Sequence, residues 1–147
     1  MRKVLIAGQH SFIGTAVERR LAAFGADYET QSLNMHGEDW KHFDFSPFDS
    51  VVHVAGVAHV SPKPELRPLY EAVNRDLAVE CGRRARDMGV RQFIFLSSAI
   101  VFGEAAPAGE NPEITPGTSP APAGAYGRSK LRAEHGPRSL ADGRLPA

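Results

Sequence analysis

The sequence predicts an α/β fold, a doubly wound parallel sheet with helices on both faces, and three observations predict it. Short β-rich apolar runs alternate with segments of helical period. Two of those runs stop on a glycine, at Gly8 and Gly56. The intervening helical segments are long enough to act as crossovers between parallel strands. Ligands of such a sheet bind outside the carboxyl ends of its strands.

The elements follow in order. Lys3–Ala7 reads as a buried strand ended by Gly8. A helix begins at Phe12, with Ile13, Val17, Leu21 and Phe24 on its core face, Glu18, Arg19 and Arg20 opposite, and Gly25 at the C-terminal cap. Tyr28–Leu33 is a weaker strand. The stretch Asn34–Ser50 has no clear period, and Trp40, Phe43, Phe45 and Phe48 are expected to pack a short surface segment. Val51–Ala55 is the next strand, followed by a loop with three prolines from Val57 to Pro68. Leu69, Val73, Leu77, Cys81, Ala85 and Met88 then mark a long helix stopped by Gly89. Gln92–Ser97 is a strand. Between Gly103 and Gly124 lie five prolines in a loop too long for a passive connector, and such loops touch ligands. Ala125–Ser139 resumes a helical pattern.

Composition narrows the function. The 147 residues carry 17 Lys+Arg against 17 Asp+Glu, so there is no basic field for nucleic acid. No apolar run approaches the roughly 18 residues of a membrane span, and the apolar run after Met1-Arg2-Lys3 is too short for a secretory signal. One cytoplasmic domain over residues 1–147 is expected. Cys81 is alone and, in an apolar helical seam, reads as a packed thiol. His10, His36, His42, His53, His59 and His135 lack metal-ligand spacing, so no metal site is expected.

Three motifs carry chemistry. Gly8-Gln9-His10-Ser11-Phe12-Ile13-Gly14 joins the first strand to the first helix, where glycines permit a tight turn and the helix N-terminus offers N–H groups to a pyrophosphate. An ordinary strand-to-helix turn has the same two glycines. Tyr126 and Lys130 stand four apart, on one face of a helix. A phenol with a pKa of about 10 must lose about three units to act as a base at neutral pH, about 4 kcal/mol of phenolate stabilisation, which a neighbouring ammonium and an oxidised nicotinamide would supply. Ser97-Ser98 ends a strand, where a hydroxyl either holds a substrate hydroxyl or satisfies loose backbone.

In this order and spacing the chain resembles the extended short-chain dehydrogenase/reductase family, in its branch of NAD-dependent epimerases and dehydratases acting on nucleotide sugars. That family's G-x-x-G-x-x-G is matched by Gly8 and Gly14, with Ser11 at the middle glycine. Its H-x-A-A/G is matched by His53-Val54-Ala55-Gly56, its V-N by Val73-Asn74, its S-S-x-x-V-Y/F-G by Ser97–Gly103, and its Y-x-x-x-K by Tyr126 and Lys130. The resemblance implies a Rossmann-like sheet that binds NAD through Gly8, Ser11, Phe12, Ile13, Gly14, Ser32, Val54, Ala55, Gly56, Asn74, Ser97, Tyr126 and Lys130. It makes Ser98, Tyr126 and Lys130 catalytic, with Tyr126 as base, and brings His59 and Ser98 to the substrate.

The sequence departs from that pattern at three places. Ser11 puts a hydroxyl where bare backbone usually meets the pyrophosphate. Ser32 stands where the family has a ribose-binding acid, which leaves NAD and NADP both open. Family members also run to about twice this length, so the chain is expected to stop before the last strands and the substrate-binding region, with an open sheet edge prone to pair with a second copy as a homodimer. The implied function is a nucleotide-sugar epimerase of the UDP-glucose 4-epimerase kind, or its cofactor-binding half. Ala99 after Ser98, where dehydratases often carry an acid, favours epimerase over dehydratase. A non-catalytic dinucleotide-binding module and an NADPH-dependent carbonyl or keto-sugar reductase are the other readings.

Overall fold

The computed structural model describes residues 1–58, 64–103 and 113–140. Four strands, β1 (Arg2–Ala7), β2 (Tyr28–Leu33), β3 (Ser50–His53) and β4 (Gln92–Phe95), form a parallel sheet in the order β2-β1-β3-β4. The helices are α1 (Phe12–Ala22), α2 (Arg67–Tyr70), α3 (Leu77–Asp87) and α4 (Ala125–Leu140). β3 and β4 each stop two residues before the expected end. Past these ends the chain stays tied to the neighbouring strand by Val54 N and Ala55 N donating to Ala7 O and Leu96 N to His53 O.

Side chains alternate across a strand, so Leu5, Ala7, Val51 and Phe93 share one face. That face holds the core, with Met35, Trp40, Phe45, Phe48, Cys81, Ala85 and Val90 packed on it. The stretch 34–50 is therefore not a surface segment: Trp40 and Phe45 are almost fully buried. Connecting β2 to β3 without an α-helix, it covers the sheet with aromatic side chains instead, and Phe43 and Phe45 meet edge to face at 5.8 Å. Cys81 is buried here as expected, and burial pushes its thiol pKa up.

The opposite face is covered by α1, in a different rotation from the one expected. Gly14 is the helix's buried residue, while Phe12 is 91% and Ile13 43% exposed. The small Gly14 lets the helix lie against Ile6 of β1, and this contact sets the rotation. Glu18, one turn on, then faces β2 rather than solvent: its Oε1 accepts the Ser32 hydroxyl. Phe12, Ile13 and Val17 line a shallow apolar groove on the outer side, and Ile94 of β4 on this sheet face is 40% exposed.

The long helix predicted from Leu69 to Met88 is present but not uniform. Between α2 and α3, Glu71–Asp76 forms a π-helical turn, which inserts an extra residue and rotates what precedes it. Tyr70 and Asn74 are buried in place of Leu69 and Val73, and at the start of α3 Ala78 is fully buried while Leu77 is partly buried against the core. From Cys81 to Ala85 the expected face holds.

Candidate functional site

A cleft of about 650 Å³ opens at the carboxyl ends of β1, β2 and β3. One wall is the glycine turn from Gly8 to Ser11, the floor is Val54-Ala55-Gly56, and the far wall is Leu69, Val73 and Leu77. Leu69 and Val73, expected in the core of the long helix, thus line the cleft, and Leu77 lines it while still packing on the core. Asn34, Met35 and His36, after β2, close the remaining side.

Hydrogen bonds suspend the turn between two strand ends. Gly8 N and Gln9 N both donate to Leu33 O at 3.0 Å, and Val54 N and Ala55 N both donate to Ala7 O at 3.0 Å. Gly8 has φ +135°, and a Cβ there would come within 2.9 Å of Ala55 N, so glycine is required on both counts. His10 holds φ +63°, a left-handed position uncommon outside glycine. Ser11 caps α1, its Oγ accepting from Gly14 N at 2.9 Å. Its hydroxyl is therefore committed to the helix start. The side chains of Phe12 and Ile13 line the outer groove, not the cleft.

Beyond Gly56 stands the second group of residues. Lys130 lies largely buried on α4, its Nζ donating to Leu96 O at 3.0 Å, just past the end of β4, and 4.9 Å from the Phe95 ring centre. The same Nζ lies 3.3 Å from where a side chain on Gly56 would begin, so it faces the strand end at the cleft floor. Burial lowers the Lys130 pKa from its ordinary value. Tyr126, one helical turn earlier, packs against Tyr70 with ring centres 6.0 Å apart. Ser98 caps the turn Ala99–Phe102, its Oγ accepting from Ile100 N at 3.4 Å. The start of α4 is pressed on this turn: a Cβ at Gly127 would come within 2.9 Å of Pro122 Cβ and 3.1 Å of Ile100 O. Glycine at 127 is what allows Tyr126 so near the segment after Ser98.

A second layer fixes these elements. Asn74 is fully buried, with Oδ1 accepting from Val57 N at 2.8 Å and Nδ2 donating to Val57 O at 3.0 Å and Ser129 Oγ at 3.1 Å. Ser129 Oγ in turn donates to Tyr126 O at 2.8 Å. Asn74 thus joins the loop after Gly56 to the helix of Tyr126 and Lys130 and stands behind the cleft, not on its surface. Ser97 does likewise, donating its hydroxyl to Glu134 one turn beyond Lys130. Ser32 is engaged with Glu18. His53 is buried between Phe93 and Phe95, with ring centres 6.0 and 6.1 Å away. Its pKa is pushed down to about 3, first by burial and then by the Lys130 charge. His59 and residues 104–112 of the proline-rich loop lie outside the described residues.

Glu18, Tyr70, Ser129 and Glu134 were not singled out in the sequence. Glu18 had been assigned to the solvent face, and Tyr70 is displaced onto the inner face by the π-helical turn.

No helix among the described residues is long and apolar enough to cross a membrane. Residues 4–143 match the model of the NAD dependent epimerase/dehydratase family. A UDP-glucose 4-epimerase of Vibrio cholerae is 32% identical over 90% of this chain and 45% of its own length. The UDP-Glc/GlcNAc 4-epimerase of Campylobacter jejuni superposes with a TM-score of 0.79 at 25% identity, covering 98% of this chain and 51% of that one. The UDP-glucuronic acid 4-epimerase of Bacillus cereus, solved with NAD, gives 0.72 at 20% identity, covering 90% of this chain and 50% of that one, and shows the shared fold. The chain spans about half the length of these relatives. By the match over residues 4–143, the chain belongs to the NAD dependent epimerase/dehydratase family.

Proposed function

We propose that this chain binds NAD in the cleft at its strand ends and supplies the proton-transfer residues of a nucleotide-sugar epimerase. The residues present fit the cofactor. The cleft has the size of a small-molecule site, its floor is bare backbone at Ala55-Gly56, and the α1 N-terminus faces its pyrophosphate end. When bound, NAD takes a hydride from a sugar carbon and returns it. The chain's own residues do the rest. Tyr126 removes the proton from the sugar hydroxyl, Ser98 orients that hydroxyl, and Lys130 places a positive charge one helical turn from the Tyr126 oxygen.

The observation that carries this reading is the seat of Lys130. Its ammonium is buried, spends one N–H on Leu96 O, and presents its others beside Gly56, where the cleft floor meets α4. A solvated helix lysine has no reason to sit there, because burying an ammonium is costly unless it is used. Ala99 after Ser98 offers no second acid, which supports epimerisation over dehydration.

The test is conversion of UDP-glucose to its 4-epimer, with Tyr126→Phe as the control. The expected loss in Tyr126→Phe is at least about 100-fold, the scale of general-base catalysis. Saturable NAD binding with no turnover of any sugar nucleotide would instead favour the dinucleotide-binding module, and net NADPH consumption would favour the reductase.

A further inference from the structure

A π-helical turn is rare, and where one occurs it frequently marks a functional site. Here the turn Glu71–Asp76 and the residue before it meet α4 at three places. Asn74 Nδ2 donates to Ser129 Oγ, which in turn donates to the Tyr126 carbonyl. Glu71 pairs with Arg132 across the two helices. Tyr70, immediately before the turn, lays its ring against the Tyr126 ring, with centres 6.0 Å apart and planes 50° to one another. Tyr70 is 4% exposed, whereas Tyr126 is partly exposed, so the first ring backs the second from the interior. The periodic stripe Leu69 and Val73 would otherwise take these inward places, and it lines the cleft instead. The backbone of Tyr126 is thus fixed through Ser129, and its side chain has Tyr70 as ring neighbour.

We propose that Tyr70 is a positioning residue for Tyr126, its ring restricting the phenol to the orientation in which the oxygen meets the sugar hydroxyl. This rests on the reading of Tyr126 as the base. Tyr70 does not itself line the cleft, although its neighbours Leu69 and Ala72 do, so it acts through Tyr126. Aromatic rings at this separation prefer particular mutual angles, which ties the tilt of one ring to that of the other. Leu or Met fills the space without fixing an angle, because neither has a flat face. A reacting group misplaced by about 1 Å loses roughly 100-fold in rate. The loss belongs in kcat and not in KM, because substrate and NAD bind to other residues.

Epimerisation of UDP-glucose by the full chain is measured for the natural sequence and for Tyr70→Leu, Tyr70→Met and Tyr70→Phe, and again with Tyr126→Phe added. Rates are divided by the NAD sites titrated in the same preparation, so a reduced folded fraction cancels. Tyr70→Leu and Tyr70→Met are expected to lower kcat roughly 10- to 100-fold with KM for UDP-glucose within about twofold, whereas Tyr70→Phe, which keeps the ring, stays within about threefold of the natural chain. With Tyr126→Phe in place, the Leu and Met changes are expected to alter the residual rate by less than about twofold, since a residue that acts through the phenol then has nothing to act on. Equal losses in both backgrounds, no loss in the Leu and Met variants, or a loss in Tyr70→Phe as large as in Tyr70→Leu overturns the positioning role while leaving Tyr126 the base. No turnover by the natural chain, or a Tyr126→Phe chain as active as the natural one, overturns the reading of Tyr126 and this inference with it.

Discussion

His53 is fully buried, and neither ring nitrogen has a hydrogen-bond partner among the described residues. With its pKa pushed down to about 3 in the folded chain against an ordinary 6.5, the unfolded chain takes up the proton first. The stability contributed by a neutral His53 is therefore complete above pH 6.5 and is lost as pH falls toward 3, by about 1.4 kcal/mol per pH unit. Urea unfolding at pH 7.5, 6 and 5 should show this slope, and His53→Leu should lessen it by about that amount while changing stability little at pH 7.5. Identical slopes in both chains would contradict the account. At this scale the sequence was informative where a residue's role is local. Gly8 and Gly56 follow strands, and Lys130 lies one helical turn after Tyr126, as their neighbours predict. It was uninformative where the role depends on a partner distant in sequence, as for Glu18 with Ser32 or Ser97 with Glu134.

At the scale of elements, the site depends on how α4 is held against its neighbours. Asn74 and Ser129 join it to the loop after Gly56, and farther along the helix Gly136 meets α3 at Val79. A Cβ at Gly136 would come within 2.2 Å of Val79 Cγ2. The branched valine cannot swing clear, so Gly136→Ala should destabilise the chain by about 1–3 kcal/mol, the range for overpacking. Adding Val79→Ala should recover part of that loss, a coupling that thermal or urea unfolding of both single variants and the double variant measures. Asn74→Ala removes the partner of Val57 N and O, leaves the Ser129 hydroxyl only its bond to Tyr126 O, and should cost about 1–3 kcal/mol, read in the same unfolding assay. The helices themselves were legible from their period, and α3 stops just before the expected Gly89, whereas α1 ends at Ala22 with Ala23 as its cap instead of Gly25. The rotation of the long helix was not, because a π-helical turn shifts the stripe by one residue without changing its composition. That shift converts Leu69 and Val73 from expected core residues into a cleft wall, which Leu77 joins while still packing on the core. The aromatic stretch 34–50 was misplaced for a related reason: with no period to read, its burial follows from the sheet face left open between β2 and β3.

Across the whole molecule, the two sheet faces differ. One carries a core of aromatic and aliphatic residues under α3, whereas the other is, among the described residues, covered by α1, with Phe12, Ile13, Phe24 and Ile94 all at least 40% exposed. An apolar patch on this scale should bind the dye ANS in the folded state, and Phe12→Lys should lower that fluorescence with little change in unfolding midpoint. Fluorescence no higher than that of the dye alone would contradict the exposure of this face. The parallel order of the sheet, and the crevice at its carboxyl edge, were legible from alternation and glycine stops, since these are statements about connectivity. The depth of cover on each face was not, since it depends on which way α1 is turned. The central claim is that this carboxyl-edge crevice holds a dinucleotide, and a calorimetric titration of the chain with NAD tests it most directly. Saturable binding at one site per chain is the predicted result; no saturable heat with either NAD or NADP, from a chain whose circular dichroism shows it folded, would contradict it.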